Sequence, residues 1–147
     1  SKYGKVYVYQ PSQEEFKCLI ATIEANKLQN IFPYNCVVSH KDGKMQFFGE
    51  TSLLKHDAPS RTIDSITLKK VIEENKLDKT DFLKVDVCGA EFDLVSQPSF
   101  DDVSDKIDVI MGKIYPQNGR NPGQIVQALQ NKGFTVEMFN TSFIAYK

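Results

Sequence analysis

An aspartate closing an apolar run is the clearest offer of chemistry in this chain: Phe82-Leu83-Lys84-Val85-Asp86-Val87 leads straight into Cys88-Gly89-Ala90-Glu91. A carboxylate at the end of a strand can orient a hydroxyl group or take its proton. The same Asp86 can instead cap the following turn through backbone N–H groups. Glu91 adds a second carboxylate, although an acid in a helix's first turn is favoured by the helix dipole alone. Three other runs end on polar residues in the same way: Val6 to Gln10 before Pro11, Ile31 to Ser39, and Asp108 to Tyr115 before Pro116, with Lys113 two residues before Tyr115. In open α/β sheets ligands bind outside the carboxyl ends of the strands, so these ends are where a site is expected. Lys84, inside an apolar strand, is placed to pair with Asp86 or Asp64.

Composition narrows the classes. The 147 residues carry 18 Lys+Arg against 19 Asp+Glu, with no basic stripe to follow a phosphate backbone, so no nucleic-acid partner and no anionic membrane surface is expected. No apolar run approaches the ~20 residues that span a bilayer. Cys18, Cys36 and Cys88 are odd in number and widely spaced, and only His40 and His56 could join them, which argues against a disulfide framework and a tetrahedral zinc site. Small apolar packing is the ordinary role of such cysteines, and reduced thiols suit a cytoplasmic protein. A chain of this length suffices for one domain with its own core.

The elements that must position these residues are legible locally. Ser12-Gln13-Glu14-Glu15 is a capping box that should turn the first strand into a helix, whose face repeats at Phe16, Leu19, Ile20 and Ile23 until Asn26. Residues 31–39 form a second extended run, and the Asp42-Gly43 turn predicts a hairpin with Met45 to Phe48. Residues 49–61 read as a surface loop. A short helix carrying Leu68, Val71 and Ile72 begins at Asp64 or Thr67, and a brief helix through Glu91 and Leu94 is closed by Pro98. Asn121-Pro122-Gly123-Gln124 is a helix start, with Gly133 at the far end. Phe134 to Phe139 and Ser142 to Tyr146 finish as strands around an Asn140-Thr141 turn. Alternating strands and helices predict a single α/β domain over residues 1–147, with about six strands in a mostly parallel sheet, helices on both faces and a C-terminal antiparallel strand.

The stretches Val6 to Pro11, Val38 to Gly43, Thr62-Ile63-Asp64-Ser65-Ile66, Phe82 to Glu91 and Val109 to Tyr115 resemble, in order and spacing, the FkbM family of S-adenosylmethionine-dependent methyltransferases. The most specific match is Lys84-Val85-Asp86-Val87-Cys88-Gly89-Ala90-Glu91, which is similar to that family's K-I-D-V-E-G-A-E string. The resemblance implies a Rossmann-like methyltransferase fold and transfer of a methyl group to a hydroxyl of a small molecule or sugar. It also implies Asp86 and Glu91 as catalytic candidates, with Gln10, Ser39 and Asp86 against the cofactor S-adenosylmethionine. Asp64 falls in the family's L-D-S-I segment, while by position it is also a helix cap. Several residues depart from the pattern. Gln10 stands where a ribose-binding Glu is usual, Cys88 replaces a Glu, and Lys113 and Tyr115 stand where Glu and His are common.

The family's glycine-rich cofactor turn, D-x-G-A-N-x-G, has no counterpart here, since Gly4 is the only glycine before Gly43. The first β-α unit of the family is therefore expected to be missing from residues 1–147. Its strand would lie between Lys5 to Gln10 and Phe82 to Val87, so those two strands should either pair with each other or take a strand from another segment. Two functional classes remain open on sequence: an O-methyltransferase, and a methyltransferase-like module that binds a ligand or partner without catalysis.

Overall fold

The computed structural model describes residues 4–48, 60–87, 90–115 and 121–147, in two compact units, Ser1–Ile66 and Thr67–Lys147. The expected loop at 49–59, Cys88, the Gly89 turn and Pro116 lie outside the described residues.

In the first unit, β1 (Val6–Tyr9) and β2 (Ile31–Tyr34) run parallel, with Tyr7 opposite Phe32 and Tyr9 opposite Tyr34. Alternation puts both pairs on one face, and their rings stack with centroids 5.2 and 4.8 Å apart, an arrangement worth about 0.5–1.5 kcal/mol per pair beyond area burial. Between the two strands runs α1 (Gln13–Ala25), which packs on β2. Ser12 caps it, its hydroxyl accepting the Glu15 N–H at 3.3 Å. The helix ends at Asn26: Lys27 takes φ 53°, and the Leu28 N–H donates to the Ile23 carbonyl, which is a Schellman closure around a lysine instead of the usual glycine.

The expected hairpin between residues 31–39 and 45–48 is not formed. β3 (Val37–Val38) and β4 (Gly43–Phe48) are separated by β5 (Ser60–Ile66), in which Ser65 pairs with Val37 on its parallel side and with Gly43 on its antiparallel side. Residues 60 and 61 are thus strand, not loop. The two-residue β3 offers little ladder, whereas β5 ties the turn from within: the Ser65 hydroxyl donates to the Lys41 carbonyl at 2.6 Å. Asp64 sits in mid-strand with Lys44 at 3.8 Å, and of the two expected helix starts it is Thr67 that caps α2.

The second unit holds the core. Its sheet has the order β6-β7-β9-β8, formed by β6 (Thr80–Val85), β7 (Ile107–Lys113), β8 (Thr135–Phe139) and β9 (Ser142–Tyr146). β6 and β7 are parallel, and β9 is antiparallel to both β7 and β8. One sheet face places Val85, Ile110, Phe143 and Ala145 in the core, each at most 2 % exposed. Five helical segments supply the rest: α2 (Leu68–Glu74), α3 (Glu91–Val95), α4 (Pro98–Asp101), a 3-10 turn at Ser104–Lys106 and α5 (Pro122–Gln130). From them Val95, Phe100 and Leu129 are fully buried. Pro98 opens α4 as its first residue, where proline's fixed φ suits a helix start, instead of only closing α3. The α5 start is as the sequence predicts, with Asn121 and Gln124 forming a reciprocal capping box. Gly112 of β7 lets Phe143 approach: a Cβ there would lie 2.6 Å from the ring and 2.9 Å from the Val85 carbonyl.

One expectation needs correction. Among the described residues three strand pairings are parallel and three antiparallel, so the architecture is mixed α/β and not mostly parallel. Within its own unit and among the described strands, β1 pairs only with β2, and β6 only with β7. A strand paired on one side only has N–H and C=O groups along its other edge that can accept a further strand. No described helix is long and apolar enough to cross a membrane.

Candidate functional site

β6 and β7 end side by side, and the residues at their carboxyl ends form a polar cluster. The pairing of Lys84 with Met111 and of Val85 with Gly112 sets the register. Side chains alternate along a strand, so Lys84 and Asp86 share a face with Met111, Lys113 and Tyr115, while Val85, Gly112 and Ile114 turn into the core. The contacts follow from that register. The Tyr115 hydroxyl donates to Asp86 Oδ1 at 3.2 Å, and Lys84 Nζ lies 3.8 Å from Asp86 Oδ2. Lys113 Nζ sits over the Tyr115 ring, 4.8 Å from its centroid. At 3.8 Å the lysine is beyond a hydrogen bond, so among the described residues no donor hydrogen-bonds Oδ2. Asp86, Lys84 and Lys113 are exposed. The cluster can therefore do what an exposed carboxylate with a neighbouring phenol and two ammonium groups can do: accept a proton from a hydroxyl and hold negative charge.

Glu91, the other carboxylate expected at this rim, is the first residue of α3 and is only 1 % exposed. It belongs to the same unit as Asp86, but its side chain is withdrawn from solvent where that of Asp86 is not.

Gln10 and Ser39 lie in the first unit. Gln10 directly follows β1, and its side-chain oxygen accepts the Ser12 N–H at 3.0 Å. In the capping box expected there, Glu15 would have made that bond. With its oxygen so engaged, what the Gln10 side chain has left to offer is its amide NH2, a donor. Ser39 is more fully committed. Its N–H donates to the Ile66 carbonyl, its hydroxyl lies 2.6 Å from that of Ser65, and its oxygen accepts the Lys41 N–H at 3.3 Å. It can contact a cofactor through its hydroxyl only by giving up part of this network. Ser65, 6 % exposed, was overlooked because a buried serine in a polar run gives no apolar signal. Tyr115 and Lys113 were visible as departures from a pattern, and their meeting with Asp86 follows from strand register alone.

An α/β unit with polar groups at adjoining parallel strand ends has them where ligands bind in open α/β sheets, and the architecture defines a broad class. Within that class the chain belongs to the methyltransferase FkbM domain family, whose profile matches residues 3–136. The fold is similar to the crystal structure of methyltransferase FkbM from Methylobacillus flagellatus KT, with a TM-score of 0.58 at 11 % identity over 97 % of this chain. The chain spans 36 % of the length of that relative. No curated protein sequence matches it. The domain is methyltransferase-like.

Proposed function

We propose that the chain is part of an S-adenosylmethionine-dependent O-methyltransferase acting on a hydroxyl of a small molecule or sugar, with Asp86 as the group that meets that hydroxyl. The observation that carries the reading is the Asp86 carboxylate at the β6 end, with Tyr115 on one oxygen and, among the described residues, only the Lys84 ammonium at 3.8 Å from the other, in a chain of this family. When bound, the cofactor supplies an electrophilic methyl group. On the acceptor side, Asp86 Oδ2 accepts the proton of the incoming hydroxyl while Tyr115, held on Oδ1, fixes the carboxylate's orientation. Glu91, the second catalytic candidate, is buried at the start of α3. In the first unit Gln10 donates to a ribose hydroxyl, and Ser39 shapes its strand end through Ser65 and Lys41.

The same reading takes residues 1–147 as one Rossmann-like domain without the family's first β-α unit. What supports it is that, among the described strands and each within its own unit, β1 and β6 are paired on one side only. The engagement of the Gln10 oxygen by Ser12 favours a second reading, a methyltransferase-like module that binds without catalysis. Calorimetric titration with S-adenosylhomocysteine tests the cofactor site, and transfer of labelled methyl from S-adenosylmethionine separates the two. Saturable binding supports the enzyme, and its absence, both in this chain and in a polypeptide that also carries a glycine-rich turn, overturns it.

A further inference from the structure

Among the described exposed side chains, the charge at the β6 and β7 ends is not balanced. Lys84 has Asp86 as its partner, while Lys113, on the same face, has only the Tyr115 ring among the described residues. An ammonium over an aromatic face is attracted by the ring's quadrupole, yet its three N–H donors are not satisfied by a π cloud. Among the described exposed side chains here, two cations stand beside one carboxylate, in a chain whose formal net charge is −1. The surface leading up to the rim is apolar: Phe82 is 53 % and Met111 46 % exposed, and Met111 lies beside Lys84 in the register. Along one sheet face the order is thus apolar surface, two ammonium groups, then the carboxylate and phenol.

From this arrangement we infer that the acceptor is a hydroxylated organic anion, its carbon skeleton on Met111 and Phe82, its anionic group on Lys113 and its hydroxyl on Asp86. The inference rests on the proposed function for the identity of the site, and it adds the class of acceptor. A neutral sugar or alcohol would leave Lys113 unmatched. A ligand with a second positive charge would be repelled by both lysines. Lys113 is then a specificity-determining residue, and the phenol of Tyr115 serves both neighbours, its ring under Lys113 and its hydroxyl on Asp86.

Nuclear magnetic resonance titration tests this with three probes that share one ring: glucuronate, glucose 6-phosphate and neutral glucose. At least one of the two anions should shift the Lys113 and Tyr115 side-chain resonances at concentrations where glucose does not, and comparing the two tells a carboxylate from a phosphate site. Lys113→Gln should weaken that binding roughly tenfold, as expected for loss of a charge-assisted contact, and Lys113→Arg should largely retain it. No methyl transfer is needed for the measurement. If an anion binds here but no methyl is ever transferred, the proposed function fails and the anion site stands. If glucose is methylated while neither anion binds, the reverse holds. Equal binding of all three probes, no binding of either anion, or indifference of anion binding to Lys113→Gln overturns the inference.

Discussion

Replacing Gly112 by alanine should loosen the two strands that carry the candidate site. The added Cβ would lie 2.6 and 2.8 Å from two ring carbons of Phe143 and 2.9 Å from the Val85 carbonyl oxygen. Comfortable carbon–carbon contacts begin near 3.5 Å, so the neighbours must retreat by roughly 1 Å. Phe143 is 1 % exposed, so its ring has no open direction to move. The Val85 carbonyl is backbone directly before Asp86, and shifting it moves the candidate site. Overpacking of a well-filled core costs about 1–3 kcal/mol, and a clash with both a ring and the backbone belongs at the upper end of that range. With a urea slope of about 2 kcal/mol/M, the midpoint for the second unit should fall by roughly 1 M at unchanged slope. Circular dichroism during urea unfolding reads this directly. Adding Phe143→Leu should restore part of the loss by relieving the ring contact. A Gly112→Ala midpoint within about 0.2 M of the parent would refute the reasoning.

Three further outcomes are expected. Lys76, like Lys27, sits at φ 52° after a helix-ending asparagine; an L-residue there is strained by about 1–2 kcal/mol, of which glycine's unfolded-state entropy takes back about 0.4–1. Lys76→Gly should therefore stabilise by roughly 0.5–1 kcal/mol in urea unfolding, and a destabilised variant would contradict the Schellman assignment. Tyr146 donates a hydrogen bond to Glu137 at 2.7 Å, and that bond, followed by the carboxylate's charge, raises its pKa above the ordinary phenol value. Its contribution to stability is fully present below about pH 10 and is lost as pH rises through the raised value; in an absorbance titration Tyr146→Phe should remove a phenol that titrates above the ordinary value, and superimposable curves would contradict this. Gln10→Glu keeps an oxygen for the Ser12 N–H and adds a charged acceptor, so S-adenosylhomocysteine should bind more tightly in calorimetry; unchanged affinity would mean that residue 10 does not face a ribose.

What could be read from the sequence was local. The caps at Ser12, Thr67 and Asn121 depend on a few adjacent residues and stand where their pattern places them. β7 and the β8-β9 hairpin announced themselves through apolar runs and a tight turn. β5 was hidden because its inward residues are Ile63 and a serine: the period-two alternation is present, but Ser65 is satisfied by the Lys41 carbonyl and the Ser39 hydroxyl and not by apolar packing. Its insertion between β3 and β4 is a long-range pairing, so an Asp-Gly turn alone suggested a hairpin instead. At the candidate site, Asp86 and its pairing with Lys84 were legible from the strand end. The Tyr115 contact needed the β6-β7 register, and the burial of Glu91 needed the packing of α3, neither of which adjacent residues determine.

The central claim is that Asp86 meets the acceptor hydroxyl in a methyl-transfer site, and transfer of labelled methyl from S-adenosylmethionine tests it most directly. Glucuronate and glucose serve as acceptors, and the parent is compared with Asp86→Asn. Asparagine keeps an oxygen for the Tyr115 hydroxyl and removes the proton acceptor, so circular dichroism should be unchanged while the rate falls by about 10²–10⁴, the usual contribution of a positioned acid or base. Transfer by Asp86→Asn at the parent's rate would contradict the account.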